Sequence, residues 1–274
     1  MAQPVIGIVH PGEMGAAVGK ALRDGGHSVV WASTGRSAVT AARAEQAGLE
    51  DVGAVGELSR VCSVILSVCP PHAALGVARS VGRFEGLYVD ANAVSPSTAR
   101  ELATLVERFV DGGIVGPPPR EAGSTRLYLS GPAADEAAGL FTGTALEPRV
   151  VSREPGDASA VKMAYAAWTK GTAALLLAIR ALARAEDVEG ALLEEWALSL
   201  PELESRSQSA ARSAGRKGWR WVAEMEEIAA TFEGAGLPDG FHLAAAEVFR
   251  RAPHAEDAAL DEVLRALNPK AEAR

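Results

Sequence analysis

Short apolar runs alternate with alanine-rich amphipathic segments along the first half of the chain. The runs are rich in β-branched residues and cover residues 5–9, 28–33, 63–69, 87–91, 109–115, 126–130 and 149–152. Strands that alternate with helical stretches are typical of βαβ units on a parallel sheet. Because runs such as residues 63–69 are apolar nearly throughout, we expect helices to cover both faces of this sheet and the last two runs to extend it.

Helical periodicity replaces this alternation after Asp157, and no β-rich run of any length follows before Arg274. Residues 158–185 are apolar on nearly every side over more than the ~20 residues usual for globular helices, which predicts a helix buried along its length, against the first domain and a partner subunit. Pro155 and Gly156 break periodic structure just ahead of it. The chain is therefore predicted to comprise an α/β domain of residues 1–155 and an all-helical domain of residues 156–274.

The charge balance narrows the classes of partner. The 274 residues include 27 Lys and Arg against 35 Asp and Glu, a formal net charge of -8, which argues against nucleic acid or an anionic membrane as the main partner. Cys62 and Cys69 are too few and too close together for a disulfide framework. The N-terminus lacks a signal-peptide pattern, and no apolar segment reaches the ~18 residues of a membrane span. We expect a soluble, cytoplasmic protein.

The first predicted strand runs into a helix through a glycine-containing turn, His10-Pro11-Gly12-Glu13-Met14-Gly15. Two glycines at such a turn let the backbone approach a pyrophosphate, which then lies against the positive N-terminus of the helix. His10 stands where a complete G-x-G-x-x-G has glycine, so an ordinary tight turn is the alternative. The context favours a dinucleotide-binding turn.

The end of the second strand bears on the choice of cofactor. An NAD-binding domain has a carboxylate there to bind the ribose 2′-hydroxyl. Here the strand leads into Ser33, Thr34 and Arg36, without a carboxylate. Two hydroxyls and a guanidinium suit a 2′-phosphate, so NADP is predicted. The alternative is that Arg36 only lies at a solvated helix start.

Four motifs together carry a family resemblance. The Gly12 and Gly15 turn, residues 90–96 (DANAVSP), residues 111–116 (DGGIVG) and Lys162 occur in the order found in β-hydroxyacid dehydrogenases. That family includes 3-hydroxyisobutyrate and 6-phosphogluconate dehydrogenases, with imine reductases as relatives. The sequence most resembles the branch with a C-terminal domain of unknown function, and the resemblance covers nearly the whole chain.

The resemblance implies an N-terminal Rossmann domain with a doubly wound parallel sheet, an all-α C-terminal domain, and hydride transfer between NADP and a small hydroxy or carbonyl substrate in the cleft between them. Lys162 would be the general acid/base, since a partly desolvated ammonium can exchange a proton with the oxygen that changes redox state. The residues expected to bind the cofactor are His10, Pro11, Gly12, Glu13, Met14, Gly15, Ser33, Thr34, Arg36, Cys69, Pro70 and Asn92. Pro70 and Asn92 would lie near the nicotinamide ribose.

The chain departs from the family pattern at several substrate-binding positions. Tyr165 and Ala166 replace a pair of asparagines that follows the lysine, and Val115 replaces the serine of the substrate loop. The C-terminal Lys-Asp pair of the family falls on Glu226 and Glu227. A carboxylate substrate bound in the family's usual way is therefore doubtful. A new polar set is predicted instead, drawn from Tyr165, Thr169, Lys170 or Glu227, with Glu224 or Glu227 as a second proton-transfer group.

Other functions stay open. Reduction of a C=N bond is the alternative reaction, and a dinucleotide-binding sensor or accessory subunit without turnover is the alternative from another class. A homodimer is expected. His72, His242 and His254 show no metal-ligand spacing with each other or with the cysteines, so no metal site is predicted.

Overall fold

Eight strands form one sheet in the part of the chain that the computed structural model describes, residues 4–268. They are β1 (Val5–Ile8), β2 (Ser28–Trp31), β3 (Glu50–Asp51), β4 (Val64–Ser67), β5 (Leu87–Asp90), β6 (Phe109–Val115), β7 (Thr125–Ser130) and β8 (Leu146–Ser152). Their order is β3-β2-β1-β4-β5-β6-β7-β8, and every neighbouring pair is parallel except β6 with β7. The strand order reverses between β1 and β4, which confirms the doubly wound α/β fold and marks the crevice where such sheets bind ligands.

Helices follow most of these strands and cover the sheet on both faces. They are α1 (Glu13–Asp24), α2 (Ala38–Gln46), α3 (Val55–Val61), α4 (Ala74–Val81), α5 (Pro96–Leu105) and α6 (Ala134–Leu140), with a short 3-10 turn at Pro71–Ala73. Successive residues of a strand point to opposite faces. In β5, Leu87 and Val89 belong to one buried cluster, whereas Tyr88 belongs to the other. Two covered faces explain why the strands are apolar nearly throughout.

The later part of the chain is helical, as predicted. Its helices are α7 (Asp157–Ala185), α8 (Glu189–Ser199), α9 (Leu203–Gly234), α10 (Gly240–Arg251) and α11 (Leu260–Leu267). Helix α9 contacts α8, α10 and α11. The buried Arg180 of α7 donates to Glu189 of α8 at 2.7 Å and to Ser207 of α9 at 2.9 Å, so one guanidinium connects three helices. None of the helices described between residues 4 and 268 is long and apolar enough to cross a membrane.

The contacts divide the chain into two compact units, residues 1–163 and 164–274, which we call the sheet unit and the helical unit. This division lies inside α7 and not at the Pro155-Gly156 segment ahead of it. The first turns of α7, which include Lys162, thus belong to the sheet unit.

Helix α7 is not buried along its whole length in the single chain. Tyr165, Trp168, Leu175 and Leu182 are 50%, 65%, 42% and 63% exposed. Trp168, Leu175 and Leu182 recur every seven residues, so they lie along one side of the helix. The single chain thus leaves one apolar side of α7 exposed, and burial of that side by a partner subunit stays a prediction.

Candidate functional site

The turn between β1 and α1 brings the start of a helix close to the end of a strand. A Cβ at Gly15 would overlap the carbonyl oxygen of His10, so only glycine lets the helix start this close to the strand end. A Cβ at Gly12 would meet no atom of the described chain within 4 Å, which leaves open space at the turn. Gly12 is also the N-cap of α1, and no side chain in residues 4–268 caps this helix start. The arrangement leaves room and helix-terminal amides for an anion.

The other residues of this turn differ in what they contact. Pro11 is buried, Glu13 is exposed in the first turn of α1, and Met14 packs against the core of the sheet unit. Gly12 and Gly15 therefore shape the turn through the backbone, whereas Met14 anchors it from below. The exposed carboxylate of Glu13 interacts favourably with the dipole of α1, but it does not attract a phosphate.

His10 and Arg36 form a hydrogen bond that joins the ends of β1 and β2. The bond runs between Arg36 Nη1 and His10 Nε2, and both side chains are half-buried. Burial, and then the positive charge of Arg36, lower the pKa of His10 to about 4. His10 is therefore neutral at physiological pH, and a guanidinium can only donate, so Nε2 of His10 is the acceptor. The prediction from sequence placed both residues at the cofactor but not in contact with each other.

A carboxylate lies beside the predicted 2′-phosphate loop after all, on the neighbouring strand. Asp51 at the end of β3 accepts a hydrogen bond from the Gly53 amide at 2.8 Å. Hydrogen bonds from the Ser33 hydroxyl, and then from the Gly53 and Ser33 amides, lower the pKa of Asp51. The Ser33 hydroxyl is thus committed to Asp51. This contact could not be predicted from the sequence, because β3 has only two residues and no recognisable strand pattern.

Asn92 lies buried at the carboxyl ends of β4 and β5, where it joins the two strand ends. Its Oδ1 accepts from the Cys69 amide at 2.5 Å, and its Nδ2 donates to Ser67 Oγ at 3.1 Å and Asp90 Oδ1 at 2.6 Å. Both amide protons are therefore used within the protein. Asn92 fixes the loop of Cys69 and Pro70 that follows β4, and Pro70 is exposed.

Two buried carboxyl groups stand side by side in the sheet, Asp90 of β5 and Asp111 of β6. Burial, and then the charge of Asp111, raise the pKa of Asp90 to about 8. Burial raises the pKa of Asp111 as well, but four hydrogen-bond donors oppose that effect. With a pKa of about 8, Asp90 is therefore mainly protonated at neutral pH. Burial, and then the charge that Asp90 carries above its own pKa, raise the pKa of the Cys69 thiol to about 12, so at neutral pH this thiol is protonated and a poor nucleophile.

Asp111 caps the helix that carries Lys162. Its Oδ2 accepts from the amides of Gly156 at 3.0 Å and Ser159 at 2.9 Å, and its Oδ1 accepts from Ser159 Oγ at 2.6 Å. Ser130 Oγ of β7 donates to the same carboxylate at 3.0 Å and accepts from the Ala158 amide at 2.9 Å. Because the first amides of a helix have no partner inside it, these contacts satisfy the N-terminus of α7 from the sheet.

Lys162 follows within two turns, close against β6. A Cβ at Gly113 of β6 would lie 2.8 Å from the Cβ of Lys162 and 2.8 Å from the carbonyl oxygen of Ala158. Any side chain at Gly113 would therefore push α7 away from the strand. Two features of the sheet unit thus determine the position of the half-buried Lys162. Asp111 caps the start of its helix, and Gly113, which has no side chain, lets the helix lie close to β6.

The other predicted catalytic residues lie in the helical unit. Lys170 of α7 forms an ion pair with Glu224 of α9 at 2.8 Å, with both side chains nearly buried, and its ammonium lies 5.7 Å from the Trp221 ring centre. Thr169 donates to the carbonyl oxygen of Tyr165 at 3.3 Å, within its own helix. The structure thus pairs Lys170 with Glu224, and this ion pair joins α7 to α9. The structure does not bring Thr169 into that pair.

This chain is similar in sequence and fold to several known proteins. A domain of unknown function, DUF1932, matches residues 183–252 in the helical unit. An uncharacterised 28.5 kDa protein of Methanothermus fervidus, named for the 7S RNA 5′ region, is 30% identical over 193 residues, which are 69% of this chain and 74% of the relative. A conserved protein of unknown function with reported structural similarity to 3-hydroxyacid dehydrogenases is 29% identical, with a TM-score of 0.66 over 98% of both chains. The chain belongs to the β-hydroxyacid dehydrogenase superfamily, which confirms the resemblance.

The same fold occurs in an enzyme of this superfamily. The Mycobacterium tuberculosis 3-hydroxyisobutyrate dehydrogenase with L-serine is 16% identical, with a TM-score of 0.71 over 97% of this chain and 100% of the other. In the present chain, Val115 stands where the resemblance places the substrate-loop serine of the family, and it is buried at the end of β6. Tyr165, in place of a family asparagine, is half-exposed. The two positions that the resemblance assigns to substrate binding thus carry a buried apolar residue and a half-exposed aromatic residue.

The described part of the chain has no set of side chains that could bind a metal ion. Residues 4–268 contain no group of three or more His, Cys, Asp or Glu side chains placed to bind one. His242 packs between Phe232 and Phe241, with ring centres 4.2 Å and 5.2 Å away. His254 lies 5.3 Å from the Trp219 ring in the same way. These two histidines serve packing within the helical unit.

Proposed function

We propose that this protein is an NADP-dependent oxidoreductase that transfers a hydride between the nicotinamide and a small hydroxy or carbonyl substrate. The observation that carries the proposal is the β1–α1 turn, where Gly15 admits the backbone of His10 and the start of α1 is uncapped in the described chain. The end of β2 adds the arginine that a 2′-phosphate requires. Membership of the β-hydroxyacid dehydrogenase superfamily agrees with this chemistry.

The residues present fit a phosphorylated dinucleotide. Two buried nitrogens, His10 Nδ1 and Arg36 Nε, find no hydrogen-bond partner among residues 4–268, and the space at Gly12 is open. Gly12 and Gly15 would hold the pyrophosphate, and Arg36 the 2′-phosphate, while Asn92 holds the Cys69 and Pro70 loop. The cofactor supplies a hydride acceptor or donor when bound.

Lys162 would exchange the proton that accompanies the hydride. In the reductive direction its ammonium donates to the carbonyl oxygen as the carbon receives the hydride, which gives an alcohol and a neutral amine. In the oxidative direction the amine takes the hydroxyl proton. The Asp111 cap and Gly113 determine where the base of this side chain lies on the sheet unit.

The cofactor is tested by titrating NADPH and NADH against the wild type and Arg36→Ala. We expect wild type to prefer NADPH and Arg36→Ala to lose about tenfold or more of that preference, because a charge-assisted hydrogen bond is worth about 1.5–3 kcal/mol. Arg83→Ala is the matched control, since Arg83 is an exposed arginine of the sheet unit that is 85% accessible. Equal affinity of the wild type for the two nucleotides would contradict the NADP assignment.

The reaction class is tested by following NADPH consumption with aldehydes, 2-keto acids, 3-keto acids and preformed imines. Turnover of a carbonyl compound supports the proposal. Turnover of imines alone would replace it with C=N reduction, which the change from the family's asparagine pair to Tyr165 and Ala166 favours. Tight NADPH binding without turnover in the whole panel would favour a sensor or accessory subunit.

We further propose that a second copy of this chain covers the exposed apolar side of α7. Trp168, Leu175 and Leu182 lie there at seven-residue intervals, as in helix pairs. Leu182→Glu should convert a dimer to monomer in size-exclusion chromatography with light scattering, because the new charge would be desolvated at the interface. Leu198→Glu, at an 84% exposed position of α8, is the control. A wild-type monomer at micromolar concentration would contradict the proposal.

A further inference from the structure

The turn between β1 and α1 begins with His10, which contacts a residue outside this turn. His10 follows β1 and Arg36 follows β2, which are neighbouring parallel strands, so their carboxyl ends meet at one edge of the sheet. The hydrogen bond between Arg36 Nη1 and His10 Nε2 joins the pyrophosphate turn to the proposed 2′-phosphate site. A glycine at position 10, as in a complete G-x-G-x-x-G, could not make this bond.

The protonation state of His10 gives the bond a direction. With its pKa lowered to about 4 by burial and then by Arg36, the imidazole is neutral under physiological conditions. Its Nε2 accepts from the guanidinium, so the proton lies on Nδ1. His10 therefore restrains the arginine without neutralising it, unlike a carboxylate, and leaves its full positive charge for a phosphate.

The same pair has unused hydrogen-bonding capacity. Arg36 Nε and His10 Nδ1 are buried, and neither has a partner in the described part of the chain. An unsatisfied buried donor is unfavourable, so a ligand that brings acceptor oxygens is bound more tightly. A phosphate monoester provides such oxygens, whereas a ribose hydroxyl provides one weak acceptor.

We propose that His10 is a positioning residue that determines cofactor specificity: it orients Arg36 toward the adenosine 2′-phosphate and so sets the preference for NADP over NAD. The proposal rests on the proposed NADP-dependent function. His10 acts here through Arg36, and not by a contact with the part of the cofactor that NAD and NADP share.

The test compares wild type, His10→Ala and His10→Gln by calorimetric titration with NADPH, NADH, adenosine 2′,5′-bisphosphate and AMP. His10→Ala should weaken the binding of NADPH and of the bisphosphate about tenfold, a loss of about 1.4 kcal/mol of binding free energy. The dissociation constants of NADH and AMP should stay within about twofold of the wild-type values. His10→Gln should restore most of the loss, because its amide oxygen can accept from Arg36. His254→Ala, in the helical unit, is the control for loss of an imidazole.

A double-mutant cycle shows whether His10 acts through Arg36. In the Arg36→Ala background, His10→Ala should change the ratio of the NADH to the NADPH dissociation constants by less than about twofold. A further tenfold change in that background would overturn the proposal, as would equal weakening of NADH and NADPH in the single variant. An unchanged ratio in His10→Ala would also overturn it.

The outcome separates this inference from the proposed function. If wild type prefers NADPH, and Arg36→Ala abolishes that preference while His10→Ala does not, only the role of His10 is wrong. If wild type binds neither nucleotide, or binds both equally, the NADP-dependent function and the role of His10 are both wrong. Circular dichroism of each variant checks that a lost affinity does not reflect unfolding.

Discussion

Replacing Lys162 with alanine is expected to lower kcat by about 10²–10⁴-fold, the range that a positioned proton donor contributes, while the NADPH dissociation constant changes less than about threefold. The two effects separate because the lysine would act on the substrate oxygen and not on the phosphates. The measurement is steady-state turnover of the substrate found in the panel, together with NADPH titration of the same variant.

Lys162→Arg sharpens this prediction. Arginine keeps the positive charge but does not release its proton in proteins, so it should remain at least about 10²-fold below wild type if proton exchange is the role of the lysine. Lys20→Ala is the control, since Lys20 is an exposed lysine of α1 that pairs with Asp24. Wild-type turnover in Lys162→Ala would overturn the assignment. Recovery in Lys162→Arg would reduce the role of the lysine to that of a charge.

Replacing Asp111 with alanine is expected to lower the free energy of unfolding of the sheet unit by about 3–5 kcal/mol. The variant loses four hydrogen bonds, and it leaves the amides of Gly156 and Ser159 and the hydroxyls of Ser130 and Ser159 buried without their acceptor. Each unsatisfied buried donor costs about 1–3 kcal/mol before the structure relaxes. Urea unfolding followed by circular dichroism measures the loss.

A graded series tests the cap itself. Ser130→Ala removes one bond to the carboxylate and the acceptor of the Ala158 amide, so we expect a smaller loss of about 1–3 kcal/mol. Asp24→Ala, which removes an exposed carboxylate at the end of α1, should change stability by less than about 1 kcal/mol. An Asp111→Ala variant as stable as Asp24→Ala would show that the cap contributes little.

Much of the fold follows from periodicity. The strands that the sequence predicts at residues 5–9, 87–91 and 109–115 agree with β1, β5 and β6 to within a residue or two at their ends. Strand β3 was missed, because two exposed residues, Glu50 and Asp51, carry neither apolar character nor alternation. The reversal at β7 was also missed, since strand direction depends on the path of the connecting loop and not on the composition of the strand.

The site is predictable in its residues more than in its contacts. The turn at Gly12 and Gly15 has a sequence signature, but the bond between His10 and Arg36 joins positions 26 residues apart, which no local pattern records. That Asp111 has partners could be predicted from the sequence, because a carboxylate within an apolar strand must be paired when it is buried. Its partners could not be named, since the donors lie 45 and 48 residues further along the chain.

The position of the unit boundary inside α7 has a consequence for dividing and recombining this protein. A fragment that ends at Pro155 would leave the Asp111 carboxylate buried without the donors of Gly156 and Ser159. An excised sheet unit must therefore keep the first turns of α7, which the contacts assign to this unit as far as Met163. In chimaeras that exchange helical units between relatives, Lys162 would then stay with the turn of Gly12 and Gly15 and would not be replaced by the incoming helical unit.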